Sequence, residues 1–290
     1  MRMQEMILQR QNTEDMLKCQ YSARFYYNRA EKLFWTIVFL SVINIIIVLL
    51  PDFQNDSMKT VFRIIPGIIC FIVIVLFCSM RKRITQAADL RDFFDMRVLG
   101  LPVSVKYREE TIQILINNAI SKSETESIVQ MKNDGHDDPP GVKNWYTFTE
   151  QYADDEVVYR CQRQNNYWTY ELSHKKYLLF GICFVFLILF GIVLCICFNA
   201  DWIKVLLCLI SAASFLIERL IDEKRFYNQI VRIKHNCEFC EKTRTPEQIE
   251  QLQLLISELR HMPVVGINQL HKRNASNLTA LHEKISKRIR

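Results

Sequence analysis

Charged and apolar positions are sharply segregated along this chain. Phe34 to Leu50, Ile64 to Met80 and Tyr177 to Phe198 carry no charged residue, and neither does Val205 to Ile217, a run that Trp202 and Ile221 extend at its ends. About 20 residues at 1.5 Å rise match a hydrocarbon core of about 30 Å, so each run predicts a transmembrane helix. Pro51 to Thr60 joins the first two runs, and little more than Asn199, Ala200 and Asp201 joins the second two. Links this short predict helical hairpins whose tips hold no domain.

Between and around the hairpins the periodicity is also helical. Thr13 followed by Glu14 and Asp15 reads as a capped helix start, and Met16, Ala23, Tyr27, Ala30 and Phe34 recur at helical spacing after it, predicting one long helix that enters the membrane. Leu90, Phe93, Phe94 and Val98 continue a helix until Gly100 and Pro102 stop it; a further helix is expected over Tyr107 to Ile120, and Asn133 to Gly141 reads as a loop. Thr245, Pro246 and Gln248 form a capping box that opens an amphipathic helix to about Arg260. The expected fold is an all-α membrane protein with two transmembrane helical hairpins, hence four spans, and cytoplasmic helical regions. Its parts are a cytoplasmic N-terminal helix (1–33), hairpin 1 (34–80), a cytoplasmic helical region (81–176), hairpin 2 (177–221) and a cytoplasmic C-terminal helical tail (222–290).

Charge decides the orientation. The 290 residues are 50% hydrophobic and 23% charged, an average that hides the segregation, and the formal net charge is +6. Arg29, Lys32, Arg81, Lys82, Arg83, Lys175, Lys176, Arg219, Lys224 and Arg225 all flank the same ends of the runs, which places both termini and the central region in the cytoplasm. The excess charge is therefore assigned to topology and anionic lipid rather than to a nucleic acid polymer. Residues up to Lys32 lack the apolar core of a cleavable signal, so the first span is expected to direct its own insertion. Of ten cysteines, Cys70, Cys78, Cys183, Cys195, Cys197 and Cys208 fall in the apolar runs, and no disulfide framework is expected in a reducing compartment.

Few residues suggest chemistry. No phosphate-cradling glycine loop, HExxH or GxSxG is present, so an enzyme is not expected. His136 with Asp137 and Asp138, and His235 with Cys237 and Cys240, lack a complete ligand set, and no metal site is assigned. Trp145 to Tyr177, laid on a helix, separates an apolar stripe (Val157, Cys161, Trp168, Leu172) from a basic and aromatic face containing Arg160, Arg163, Tyr167 and His174, with Trp145 and Trp168 beside it. Guanidinium groups match phosphate oxygens and aromatic rings stack on bases, so this face suits a cyclic nucleotide; lipid headgroups or acidic side chains would satisfy the same arginines. In the fourth run Lys204, Cys208, Ser211, Ser214, Glu218 and Asp222 share one side. Ionisable groups in spans usually face a cavity or partner, so Lys204, Ser211, Ser214 and Glu218 are candidate pore-lining residues; the other reading puts the charges at the headgroups and the serines against neighbouring helices.

Arg10 to Leu33, the FFDMRVLGLP segment, Trp145 with Tyr146, CQRQNNYWTYEL and LQLLISELRHMPVVGINQLHKRN together resemble the four-transmembrane effector family associated with SMODS nucleotidyltransferases, in order and over nearly the whole chain. This copy has Val103 where an aromatic often follows the proline and Thr169 where an acid is common after the tryptophan. The resemblance implies a multi-pass protein of the bacterial inner membrane that acts in CBASS-type anti-phage immunity. It would form a homo-oligomer and permeabilise the membrane when a partner nucleotidyltransferase supplies a cyclic oligonucleotide. No cofactor is implied beyond that activating ligand. A constitutive channel or small transporter, and a membrane-anchored binding module without a pore, are the other classes compatible with the residues.

Overall fold

The computed structural model describes residues 2–49, 56–102, 107–148, 150–198 and 202–266. Within these residues all regular structure is helix, apart from an isolated bridge between Asp134 and Lys143. The helices are α1 (Met3–Arg10), α2 (Glu14–Leu49), α3 (Asp56–Leu99), α4 (Glu109–Ile120), α5 (Glu124–Lys132), α6 (Asp154–Phe198), α7 (Trp202–Thr243) and α8 (Pro246–Arg260).

Four helices dominate, with 36, 44, 45 and 42 residues in α2, α3, α6 and α7. At 1.5 Å per residue each is about 54 to 68 Å long, roughly twice a hydrocarbon core, so every long helix has both an apolar and a polar part. Three contain segments long and apolar enough to cross a membrane, within Glu14–Ile47, Ile64–Leu99 and Glu156–Phe190. Phe39, Phe71 and Phe186 on these segments are 63%, 68% and 69% exposed, a surface suited to lipid rather than water. The fourth apolar run lies in α7, which packs along α6 as α3 packs along α2.

The polar parts assemble into a body outside the apolar segments, around Ile7, Tyr21, Leu90, Phe94, Ile112, Ile116 and Val157. As expected, α2 passes unbroken from polar to apolar sequence, but Thr13 does not cap it: its hydroxyl donates to the Arg10 carbonyl at 2.8 Å, closing the turn after α1. α3 ends where Gly100 adopts φ 72°, and Leu101 N–H donates to the Met96 carbonyl at 3.0 Å. That pairing is a Schellman closure, which needs the left-handed conformation glycine provides. Gly141 is required for a different reason: a Cβ there would stand 1.7 Å from the Asn133 carbonyl oxygen. α8 opens with the expected box, Thr245 N–H donating to Gln248 Oε1 at 3.1 Å and Gln248 N–H to Thr245 Oγ1 at 3.4 Å.

One local expectation is corrected. α6 begins at Asp154, and Trp145 lies before it in non-helical chain. That chain is tethered to the N-terminus, because Gln11 Nε2 donates to the Tyr146 carbonyl at 3.0 Å and Tyr146 N–H donates back to Gln11 Oε1 at 2.7 Å. These long-range bonds replace the local helical ones. Val103, the sequence departure after Pro102, lies outside the described residues.

Candidate functional site

The buried charge of this molecule converges on α8. Asp92 and Asp95, one turn apart on α3, are both completely buried, and Arg260 at the end of α8 reaches them with separate nitrogens, at 2.8 Å to Asp92 Oδ1 and 2.6 Å to Asp95 Oδ2. Tyr107 and Ser257 donate to Asp92 Oδ2 at 2.9 and 2.5 Å, and Tyr146 donates to Asp95 Oδ1 at 2.7 Å. Asn165 of α6 donates to Asp95 Oδ2 at 3.2 Å, and His261 contacts Asp89 Oδ1 at 2.9 Å. Burial alone would lower the Arg260 pKa, but Asp95 and Asp92 more than reverse it. Burial, followed by the adjacent carboxylates, raises the pKa of Tyr146 and Tyr107, so both phenols stay protonated donors at neutral pH.

Directly after Arg260 the chain becomes a strap across the polar ends of the apolar segments. Arg219 of α7 donates to the Pro263 carbonyl at 2.9 Å, and Lys176 of α6 donates to the Val265 carbonyl at 2.8 Å. Lys176 also pairs with Glu223 at 3.0 Å, both side chains being under 10% exposed. Val265 itself packs among Ala30, Phe34 and Ile37 of α2 and Met80 and Ile84 of α3. Phe34 meets Phe180 of α6 edge to face at 6.0 Å. Six residues, Arg260 to Val265, thus connect the buried ionic node to α2, α3, α6 and α7.

The residues expected to bind an anion are distributed around α6. Arg160 makes bonds of 3.0 and 2.7 Å to Glu156 Oε1 and lies 5.0 Å from the Tyr152 ring centroid; Glu156 is shared with Arg244 at 3.1 Å. Arg163 pairs with Glu241 of α7 at 3.2 Å. Both arginines remain partly exposed, with side-chain accessibilities of 21% and 23%. Trp145 donates from Nε1 to Asn165 at 3.4 Å and stacks under the Arg91 guanidinium, 3.7 Å from the ring centroid. Tyr167 is half-buried and His174 exposed on α6, while the Trp168 side chain lies outside the described residues.

Of the pore-lining candidates, Glu218 pairs with Arg81 of α3 at 3.1 Å, with both side chains about half exposed. The side chains of Lys204, Ser211 and Ser214 lie outside the described residues, as does that of Cys208. Asp222 approaches Arg219 at 3.5 Å. Burial pushes the Cys237 thiol up to about 12, which keeps it a neutral core sulfhydryl, and no metal-binding group of three or more ligands occurs among the described residues. Asp137 and Asp134 instead brace their own loop, accepting from Asp134 N–H and His136 N–H at 2.8 Å each.

Asp92, Asp95, Arg260 and Glu223 were not singled out by sequence, and Lys176 and Arg219 were read only as flanking charges. Their signal was present in acids embedded among Leu90, Phe93 and Phe94, and in a basic pair, Arg260 with His261, ending an amphipathic helix. Partnering over such separations is invisible in a single sequence.

An all-helical chain in which three helices are long and apolar enough to cross a membrane, with buried ionic ties between their polar parts, defines a multi-pass membrane protein. The model of the SMODS-associating 4TM effector domain matches residues 5–263, and the chain belongs to that family. It is therefore a membrane effector of defence signalling, associated with SMODS-type nucleotidyltransferases. The matched region ends within the strap, so it takes in the node and the Arg219 contact. No curated protein and no solved structure matches.

Proposed function

We propose that this protein is an inner-membrane effector of bacterial anti-phage immunity of the CBASS type, which oligomerises and permeabilises the membrane when a cyclic oligonucleotide arrives from a partner nucleotidyltransferase. Four spans in two hairpins, with both termini cytoplasmic, provide its frame. The observation that carries this reading is the strap: Arg260 holds Asp92 and Asp95, and the next five residues are held by Arg219 and Lys176 at the membrane margin. A rearrangement of the cytoplasmic body therefore pulls on α6 and α7 through buried ionic contacts rather than through a loose linker. Four helices of one chain leave no room for a water-filled path, so several copies are required, and a ligand that binds the open arrangement better draws the population towards it.

The nucleotide is assigned to α6, with Arg160 and Arg163 on its phosphates and with Tyr167, Trp168 and, from beside the helix, Trp145 around its bases. A phosphate arriving there displaces Glu156 and Glu241 from the arginines, an exchange of one anion for another. Charge-assisted bonds contribute about 1.5 to 3 kcal/mol each, so Arg163→Ala is expected to weaken binding about tenfold or more, and Glu241→Gln to strengthen it. Titration calorimetry of the purified protein with a panel of cyclic di- and trinucleotides measures both, and unchanged affinity in both variants would remove the ligand from this face.

Dye-loaded liposomes test the activity. Leakage that begins only on nucleotide addition supports the effector; leakage without nucleotide indicates a constitutive channel, and none under any condition an anchored binding module. Along the path we place Lys204, Ser211, Ser214 and Glu218, with Glu218 forming an acidic ring at the cytoplasmic mouth. Glu218→Lys should then reduce or reverse cation preference in bilayer recordings, and an unaltered preference moves the path to another span.

A further inference from the structure

A cavity of about 230 Å³ opens between α2 and α5, and neither the candidate residues of α6 nor those of the strap line it. It extends along α2 from Tyr21 to Lys32, and Lys32 precedes by two residues Phe34, where the first apolar run begins. Its Lys32 end thus lies at the headgroup level of the first span. Arg29 and Lys32, three residues apart on one helix, both line it. The Arg29 guanidinium rests 4.6 Å from the Phe25 ring centroid, and neither cation forms an ion pair among the described residues.

The other walls are already occupied. Arg24 donates to the carbonyls of Pro140 and Gly141 at 2.7 and 2.8 Å and to Gln130 Oε1 at 3.1 Å, so its charge faces the cavity while its hydrogen bonds hold the loop. Glu126 accepts from Gln130 at 2.8 Å, and Glu31 is buried in the wall of α2. Ser123 lines the α5 side, and its side chain makes no cap bond to α5. Three cations against two acids leave one positive charge in excess, with the two uncommitted cations nearest the membrane.

We propose that this cavity holds the phosphate of an anionic phospholipid headgroup, clamped by Arg29 and Lys32 with the Ser123 side available to a glycerol hydroxyl. Guanidinium and ammonium donors at the headgroup plane match the charge and the depth of that phosphate. A soluble cyclic nucleotide carries the same phosphodiester chemistry, but the Arg29 and Lys32 end of the cavity adjoins the first apolar run, which favours the lipid. The site requires membrane insertion only, so its occupancy is separable from nucleotide binding and leakage.

Native mass spectrometry of the full chain, released from detergent containing equal phosphatidylglycerol and phosphatidylcholine, reads the preference directly. The wild type is expected to retain phosphatidylglycerol, and Arg29→Ala with Lys32→Ala to lose that preference about tenfold. Lys82→Ala with Lys224→Ala, which removes two exposed cations of the same margin, should leave it unchanged. Ser123→Glu keeps both cations but places a carboxylate in the cavity, and should cause the same loss even if the double alanine variant fails to fold. Equal losses in the Lys82 and Lys224 variant, or full retention in Ser123→Glu, would overturn the site. Displacement of phosphatidylglycerol by cyclic di-AMP would overturn the lipid as its occupant.

Discussion

Arg260→Leu is expected to be among the most damaging single substitutions in this protein, costing about 3 to 5 kcal/mol, because it leaves two fully buried carboxylates without their cation. Asp92 would keep Tyr107 and Ser257, and Asp95 would keep Tyr146 and Asn165, but neutral donors do not cancel two negative charges one helical turn apart. Arg260→Lys should lose less, since it retains the charge but not the fork that reaches two acceptors at once. Combining Arg260→Leu with Asp92→Asn and Asp95→Asn should recover most of the loss, because removing every member of a buried ionic group is far milder than removing one. Thermal unfolding in detergent, followed by tryptophan fluorescence, orders the three variants. Identical melting of wild type and Arg260→Leu would show that the node does not hold α8 to α3.

Lys176→Met should have a comparable effect at the membrane margin, about 3 to 5 kcal/mol, by stranding Glu223 where its side chain is 3% exposed. The same change frees the Val265 carbonyl, so the strap loses one of its two cationic ties to the spans. Adding Glu223→Met should restore stability without restoring the tie to Val265. This separates two quantities that the single variant confounds. If the strap transmits movement, the stable double variant will still bind nucleotide while releasing less dye from liposomes at saturating ligand. Normal ligand-dependent leakage from the double variant would assign transmission to the direct packing of Phe34, Phe180 and the helices around them.

The predicted organisation of α2 and α3 was legible because a run without charges cannot be mistaken for an amphipathic stripe, and because each run continues a helical pattern into polar sequence at one end. Gly100 and the Thr245 box were legible for a related reason: helix ends are local events, decided within about one turn. The candidate ligand face was legible as residue types only. Arg160 and Arg163 do lie on α6, but their acidic partners come from the first turn of α6 and from α7, the latter 78 positions away. Trp145 belongs beside α6 through Asn165 and Arg91, not through a shared helical face.

Composition and spacing by themselves determined that this chain is helical and membrane-bound, because lipid admits only segments whose backbone bonds are satisfied internally and whose side chains are apolar over the full thickness. Order along the chain likewise carried the family. The tertiary structure alone decided which charges matter. Arg219 and Lys176 looked like two more cations of a flanking collar, yet they turn inward to the carbonyls of Pro263 and Val265, while Lys82 and Lys224 of that collar stay exposed. Asp92 and Asp95 passed without notice among Leu90, Phe93 and Phe94, yet they receive Arg260 from 165 positions or more away. Local periodicity reports the face on which a side chain lies; the cost of burying a charge is met only by an opposite charge in three dimensions, and helix packing decides where that partner comes from.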